Sequence, residues 1–263
     1  MPTKNTPIYL VDGLPARLSG PWIRRKHYYL RRYLDIFTRA MQRKWSSSLT
    51  YIDLFAGPGR CFIDSIRNGT EGSPLIALAY PFSKYIFIEE NSVNLDALAK
   101  RCGNSPKSPR ISFISGDCND VVSSIQPAGL SVAFADPTGL DLHFETIRKL
   151  TEGRKVDLLL NIQFGIDLKR NFVPYRKDRS PLDQFLGGSV DWRQVNEPRD
   201  AIDWFRRKIE GLGYSTAKFK VEVRNQKNVP MYFLFFASKH PRGLYFWREI
   251  TKKDEAGQHE WAF

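Results

Sequence analysis

Five short runs of β-branched and aromatic residues, at 51–55, 85–88, 111–114, 132–135 and 156–160, are apolar almost from end to end, and each stops at a small or acidic residue. A strand without polar alternation has to be covered on both faces, the condition of a parallel sheet between two helix layers. The segments between the runs supply the helices. Ser73-Pro74 reads as an N-cap followed by proline at the first helical position, with Leu75, Ile76 and Leu78 behind it. Residues 91–102 carry Val93, Leu95, Leu98 and Ala99 at helical spacing and end at Gly103, and residues 143–150 end ahead of Gly153. The expected class is α/β, a doubly wound, Rossmann-like sheet.

The last third reads differently. Residues 196–212 form an amphipathic helix through Ile202, Phe205 and Ile209, followed by a strand at 219–224, the turn Asn225-Gln226-Lys227-Asn228, and a strand at 229–236. Strands joined by so short a turn are antiparallel. Five parallel strands closed by an antiparallel hairpin are the arrangement of class I methyltransferases, a correspondence of fold and not of function. Residues 1–263 read as a single domain, with 1–20 a loose entry and 164–197, rich in Arg, Pro, Gly and Asp, an inserted loop or lid.

Charge suggests a partner. Forty Lys and Arg against 28 Asp and Glu give a net charge of +12. In residues 22–44 the apolar Ile23, Leu30, Tyr33, Leu34, Phe37 and Met41 recur at helical spacing, leaving Arg24, Arg25, Lys26, Arg31, Arg32, Arg39, Arg43 and Lys44 for the other face. With a second basic segment at 169–179, and Tyr28, Phe172 and Tyr175 interleaved as stacking rings, this face points to nucleic acid, DNA or RNA. Arg24, Arg25, Lys26, Arg31, Arg32, Arg176 and Lys177 are the candidate phosphate contacts; a merely solvated face is the plain alternative. No run reaches membrane-span or signal-peptide length, and Cys61, Cys102 and Cys118 are odd in number and scattered, which fits a cytoplasmic protein. His27, His143, His240 and His259 form no ligand spacing, so no metal is expected.

The chemistry concentrates at strand ends. The first strand runs into Asp53-Leu54-Phe55-Ala56-Gly57-Pro58-Gly59-Arg60-Cys61, where glycines let the backbone turn sharply beside a ligand. A dinucleotide site would want a third glycine at the position held by Phe62. An acidic residue four positions ahead of Gly-x-Gly suits a cofactor with a cationic amino-acid end and no phosphate, S-adenosylmethionine; a ligand-free tight turn is the alternative. Glu89 ends the second strand, where ribose hydroxyls would donate to it, and Gly116-Asp117-Cys118-Asn119 follows the third, where Asp117 would accept from an adenine amine or simply cap a helix. Asp53, Phe55, Gly57, Gly59, Glu89, Asp117 and Cys118 are therefore the candidate cofactor residues, because open α/β sheets bind ligands at the carboxyl ends of consecutive strands.

After the fourth strand, Asp136-Pro137-Thr138-Gly139-Leu140 puts a carboxylate where the methyl acceptor would lie. Asp136 is the candidate catalytic residue, orienting or deprotonating the acceptor. Base-amine methyltransferases carry an aromatic residue where Gly139 stands, so stacking would have to come from Phe164 or Tyr175, and no cysteine is placed for pyrimidine C5 attack. Thr138, Asn161, Gln163, Asp167, Lys169 and Arg170 border the same cleft as candidate substrate contacts, with turn capping by Asp167 and Asn171 the alternative.

Over roughly residues 20–252 the chain resembles the three-Cys-motif partner proteins, a methyltransferase-like family. The resemblance rests on Gly20-Pro21-Trp22 with Lys26-His27, Tyr51-Ile52-Asp53-Leu54-Phe55-Ala56-Gly57-Pro58-Gly59-Arg60, Gly72-Ser73-Pro74-Leu75, Phe87-Ile88-Glu89, Gly116-Asp117-Cys118-Asn119, Asp136-Pro137-Thr138-Gly139-Leu140 and Ser238-Lys239-His240-Pro241. It implies a class I methyltransferase fold, an S-adenosylmethionine pocket at Asp53, Gly57, Gly59, Glu89 and Asp117, and a radical-SAM-type partner carrying the three cysteines. It implies no substrate. Two functions follow: an S-adenosylmethionine-dependent methyltransferase acting on nucleic acid, or a non-catalytic cofactor- or nucleic-acid-binding subunit beside that partner.

Overall fold

The computed structural model describes residues 8–45, 47–63, 66–217, 221–225 and 228–253. In chain order its elements are β1 (Ile8–Tyr9), β2 (Pro15–Leu18), α1 (Ile23–Trp45), β3 (Leu49–Asp53), β4 (Arg60–Ile63), β5 (Ile66–Glu71), α2 (Ser73–Leu78), β6 (Lys84–Glu89), α3 (Ser92–Gly103), β7 (Ile111–Ser115), α4 (Cys118–Val121) and β8 (Leu130–Ala135). There follow α5 (Phe144–Thr151), β9 (Lys155–Ile162), α6 (Lys169–Tyr175), α7 (Pro181–Leu186), α8 (Pro198–Gly211), β10 (Ser215–Thr216), β11 (Val221–Arg224), β12 (Pro230–Ser238) and α9 (Pro241–Ile250).

The main sheet runs β7-β6-β3-β8-β9-β12, with β10 and β11 both paired to β12. The first five strands are parallel and β12 is antiparallel to β9. This is the sheet of the class I methyltransferase fold. Each central strand feeds two cores, because successive side chains leave a strand on opposite faces. Ile52, Ile86, Ala133, Leu158 and Leu160 pack with α5, α7 and α8, while Tyr51, Tyr85, Phe87, Val132, Phe134 and Leu159 pack with α1, α2 and α9. Double-sided burial is why these strands show no polar alternation.

The expected strands and helices are present with ends shifted by a few residues; Ser73 is the first helical residue and Gly72 the cap. Of the expected terminal hairpin, Phe219, Lys220, Gln226 and Lys227 lie outside the described residues, as do residues 1–7 of the entry segment and His259.

Two expectations are corrected. Residues 8–18 are no loose entry: β1 and β2 pair with each other, and β2 pairs in parallel with β4, giving a second sheet of order β1-β2-β4-β5. The β4–β5 hairpin lies where a helix would directly follow the glycine turn, and the chain returns through a Gly72 N–H to Gly59 carbonyl bond of 2.8 Å. Nor is 164–197 a lid. Leu168, Phe172, Leu182, Phe185, Leu186 and Val195 are buried in the core under α8, and no residue of the segment lines the cleft described next. Its polar residues fall both in the connecting turns and within three short helical pieces, which hides the spaced apolar residues of those pieces.

Candidate functional site

The strand order reverses between β3 and β8, which opens a crevice at their carboxyl ends. A cleft of about 500 Å³ lies there, and its lining includes Phe55, Gly57, Glu89, Asp117, Cys118, Asp136 and Thr138. Seven residues predicted from strand-end position alone thus meet in one cavity.

The glycine turn forms its floor. Gly57 has φ of +62°, a backbone state that suits glycine, and a Cβ built there would meet no atom within 4 Å. The backbone is therefore exposed to the cleft with room for a ligand against it. Gly59, at φ +83°, does something else: a Cβ there would lie 2.8 Å from Leu98 Cδ1, so it lets α3 approach the turn. The N–H of Gly57 donates to Glu89 Oε2 at 2.7 Å, and Glu89 Oε1 accepts from the N–H of Asn91 at 3.0 Å. Glu89 thus ties the tips of β3 and β6 together while lining the cleft. Asp117 lines it too and caps α4, accepting from the N–H of Asn119 at 2.8 Å. Cys118 is buried beside it, and burial pushes its thiol up, out of the thiolate range at neutral pH.

Asp53 is not among the lining residues. It is fully buried, accepting from the Tyr51 hydroxyl at 3.1 Å and the N–H of Phe55 at 3.3 Å, so it shapes the turn from beneath. Burial pushes its pKa up to about 7, against the opposing hydrogen bonds from Ser73 and Tyr51.

Asp136 is buried at the cleft's inner wall. Lys26 Nζ donates to its Oδ2, Arg17 NH1 reaches the same oxygen at 3.2 Å, and Asn161 Nδ2 donates to Oδ1 at 2.5 Å. Burial by itself would raise this carboxyl; Lys26 and Arg17 outweigh it and hold the pKa well below the usual carboxylate range. A carboxylate so stabilised is a weak proton acceptor, and it suits orientation better than deprotonation. His27, adjacent on α1, is pushed down to about 3 by burial and then by Lys26, so it carries no charge here.

Lys26 is therefore corrected from outward phosphate contact to buried partner of Asp136, at 5 % exposure. It falls in the same helical stripe as Ile23 and Leu30, and only an anion in the wall permits a lysine there. Sequence reasoning missed Arg17 altogether, since nothing placed residues 8–18 over the cleft. The signal available was the short apolar run Ile8 to Val11 and the alternation Ala16-Arg17-Leu18, each too brief to separate from loop.

The remaining candidates scatter. Gln163 is buried, its Nε2 donating to the Pro137 carbonyl at 2.9 Å, and Asp167 accepts from the N–H of Leu140 at 2.8 Å, so both brace the Asp-Pro turn from behind. Gly139 is required by that bracing, because a Cβ there would lie 2.6 Å from Asp167 Oδ2. Phe164 is a core residue against Phe233, ring centres 4.7 Å apart, and cannot stack on a substrate. Lys169, Arg170 and Lys177 are exposed, whereas Arg176 is engaged with the carbonyls of Val195 and Trp192 and with Asn196. On α1, Arg24 and Arg32 are exposed, Arg25 is half-buried, and Arg31 pairs with Glu71 at 2.8 Å. Among the described residues no group of His, Cys, Asp and Glu could hold a metal, and no helix is long and apolar enough to cross a membrane.

No family model matches the chain, and neither does any curated protein. Solved structures do resemble it. Protein LPL1258 from Legionella pneumophila superposes with a TM-score of 0.54 at 10% identity, over 89% of this chain and 94% of that one. The O-methyltransferase TomG from Streptomyces achromogenes, in complex with SAM, gives 0.48 at 11% identity over 80% and 79% of the two chains. TYW2 of P. horikoshii, in complex with MeSAdo, gives 0.44 at 14% identity over 88% and 70%. At 10% identity what is shared with LPL1258 is the fold alone.

Proposed function

We propose that the cleft binds S-adenosylmethionine and that the protein is a methyltransferase. The observation that carries this reading is the cleft's charge and shape together: an open cradle over Gly57, and Glu89, Glu90, Asp117, Asp136 and Asp141 in the wall. Such a wall repels the pyrophosphate of a dinucleotide and favours a cofactor whose sulfonium and ammonium are positive. Glu89 would hold the ribose and Asp117 the adenine, and the bound cofactor supplies an electrophilic methyl group. The chain's own task is then to align an acceptor beside Asp136. Both acceptor positions that an exocyclic base amine would use, the Asp136 carboxylate and the Pro137 carbonyl, are already engaged by donors.

Calorimetric titration with S-adenosylmethionine tests the reading. The native protein is expected to bind it and Gly57→Val to lose binding by about 100-fold or more, since a branched side chain would fill the cradle and strain the left-handed backbone. Equal affinity in both would remove the assigned pocket.

Nucleic acid as the substrate is supported by the net charge of +12 and by exposed Arg24, Arg32, Arg39, Lys169, Arg170 and Lys177. RNA or DNA affinity should fall steeply between 50 and 200 mM salt, by about tenfold or more for several phosphate contacts. A flat response in a filter-binding or anisotropy series would discard phosphate recognition. A second reading, a non-catalytic subunit working beside a radical-SAM-type protein, draws on the family resemblance and on the Asp136-Pro137-Thr138-Gly139 turn, whose carboxylate is a weak proton acceptor. Bound cofactor with no methyl transferred to nucleic acid or protein would favour it.

A further inference from the structure

Among the described residues that line the cleft, five carboxylates face one cation, Arg17. The parallel pairing of Arg17 with Cys61 and Leu18 with Phe62 hangs β2 over the cleft and sets this guanidinium at the end bounded by the glycine turn and Asp136. A smaller cavity beside that turn is lined by Arg17, Gly57, Gly59 and Asp136 together.

Arg17 is held loosely there. Its NH1 lies 3.2 Å from Asp136 Oδ2 and 3.4 Å from the Asp136 carbonyl, whereas charge-assisted N–H···O bonds settle at about 2.7–2.9 Å. Asp136 is not dependent on it, because Lys26 donates to the same oxygen and Asn161 to the other. The Lys26 side chain is 6% exposed and the Arg17 side chain 30%, so the first is sealed into the wall and the second opens onto the cleft. A guanidinium carries five N–H donors in a planar fork that matches a carboxylate.

S-adenosylmethionine has one anionic group, its α-carboxylate, and placing its ribose at Glu89 and adenine at Asp117 leaves the amino-acid end for the side of the cleft where Arg17 stands. We propose that Arg17 receives the cofactor's α-carboxylate, exchanging its long contact with Asp136 for a paired one, so that cofactor binding frees one face of Asp136 for the methyl acceptor. This rests on the cofactor reading above and goes beyond it in two respects. It gives the β1–β2 segment a role in selecting the cofactor, and it makes binding ordered, cofactor before acceptor.

The probes are S-adenosylmethionine and decarboxylated S-adenosylmethionine, which differ only in that carboxylate, titrated calorimetrically into the native protein, Arg17→Met and Arg17→Lys. The native protein should prefer the carboxylated form by about tenfold or more, the worth of a charge-assisted pair. Arg17→Met should erase the preference by weakening that form alone, leaving the decarboxylated affinity within about threefold, and Arg17→Lys should keep part of it. Equal native affinity for both probes would overturn the assignment. So would a loss of both in Arg17→Met, which would make Arg17 a support of the roof, or no change in either. Failure of the native protein to bind either probe would instead remove the cofactor reading, and this inference with it.

Discussion

Asp53→Asn is expected to raise the unfolding free energy by about 4 kcal/mol above pH 7 and to change it little at pH 4. The native carboxyl is fully buried beneath the glycine turn, with a pKa pushed from 3.8 up to about 7 by burial. The folded state therefore holds its proton more tightly than the unfolded chain does. The corresponding stability is fully present below the unfolded pKa and is lost as pH rises through the folded one. The distance from 3.8 to about 7 sets the size of the effect. Asparagine has nothing to ionise; its one oxygen can keep the Phe55 N–H, which lies on Oδ1, while its amide N–H takes the Oδ2 place and donates to the Tyr51 hydroxyl oxygen. Urea denaturation across pH 4 to 8 checks this, and parallel pH profiles for the two proteins would show that Asp53 is not the titrating group.

The second large effect concerns Lys26. Lys26→Met should cost about 3–5 kcal/mol, the range for removing one partner of a buried ion pair, because Asp136 would be left with only the longer Arg17 contact and Asn161. Adding Asp136→Asn should recover most of the loss, since both charges are then gone from the wall. The double variant is the discriminating measurement: if the losses merely add, the two residues are not coupled and the cluster has been misread. Urea midpoints of the four proteins at neutral pH give the answer.

The legibility of this molecule in its sequence follows a physical division. Elements buried on both faces announce themselves, so Ile52, Ile86, Ala133 and Leu158 could be assigned to a parallel sheet without any long-range information. Strand-end residues inherit their position from that sheet, which is why the sequence alone gathers Gly57, Glu89, Asp117 and Asp136 at one cleft. What stayed hidden depends on partners distant along the chain. Nothing near Pro15 or Leu18 says that the strand they bound will find β4 beyond the first helix, and nothing near Lys26 says that an anion just past the end of β8 will draw it inward. Sign of charge was read as a direction to solvent, a rule that fails wherever an opposite charge waits inside. The helical pieces within 164–197 escaped for a third reason: each is too short to show a period.

Arg101, on α3, grips the β1–β2 connection through Asp12 at 2.9 Å and the Pro15 carbonyl at 2.7 Å, and the glycine turn through the Pro58 carbonyl at 2.5 Å. One side chain thus couples the ceiling of the cleft to its floor, and the two ought to respond to a ligand as a single body.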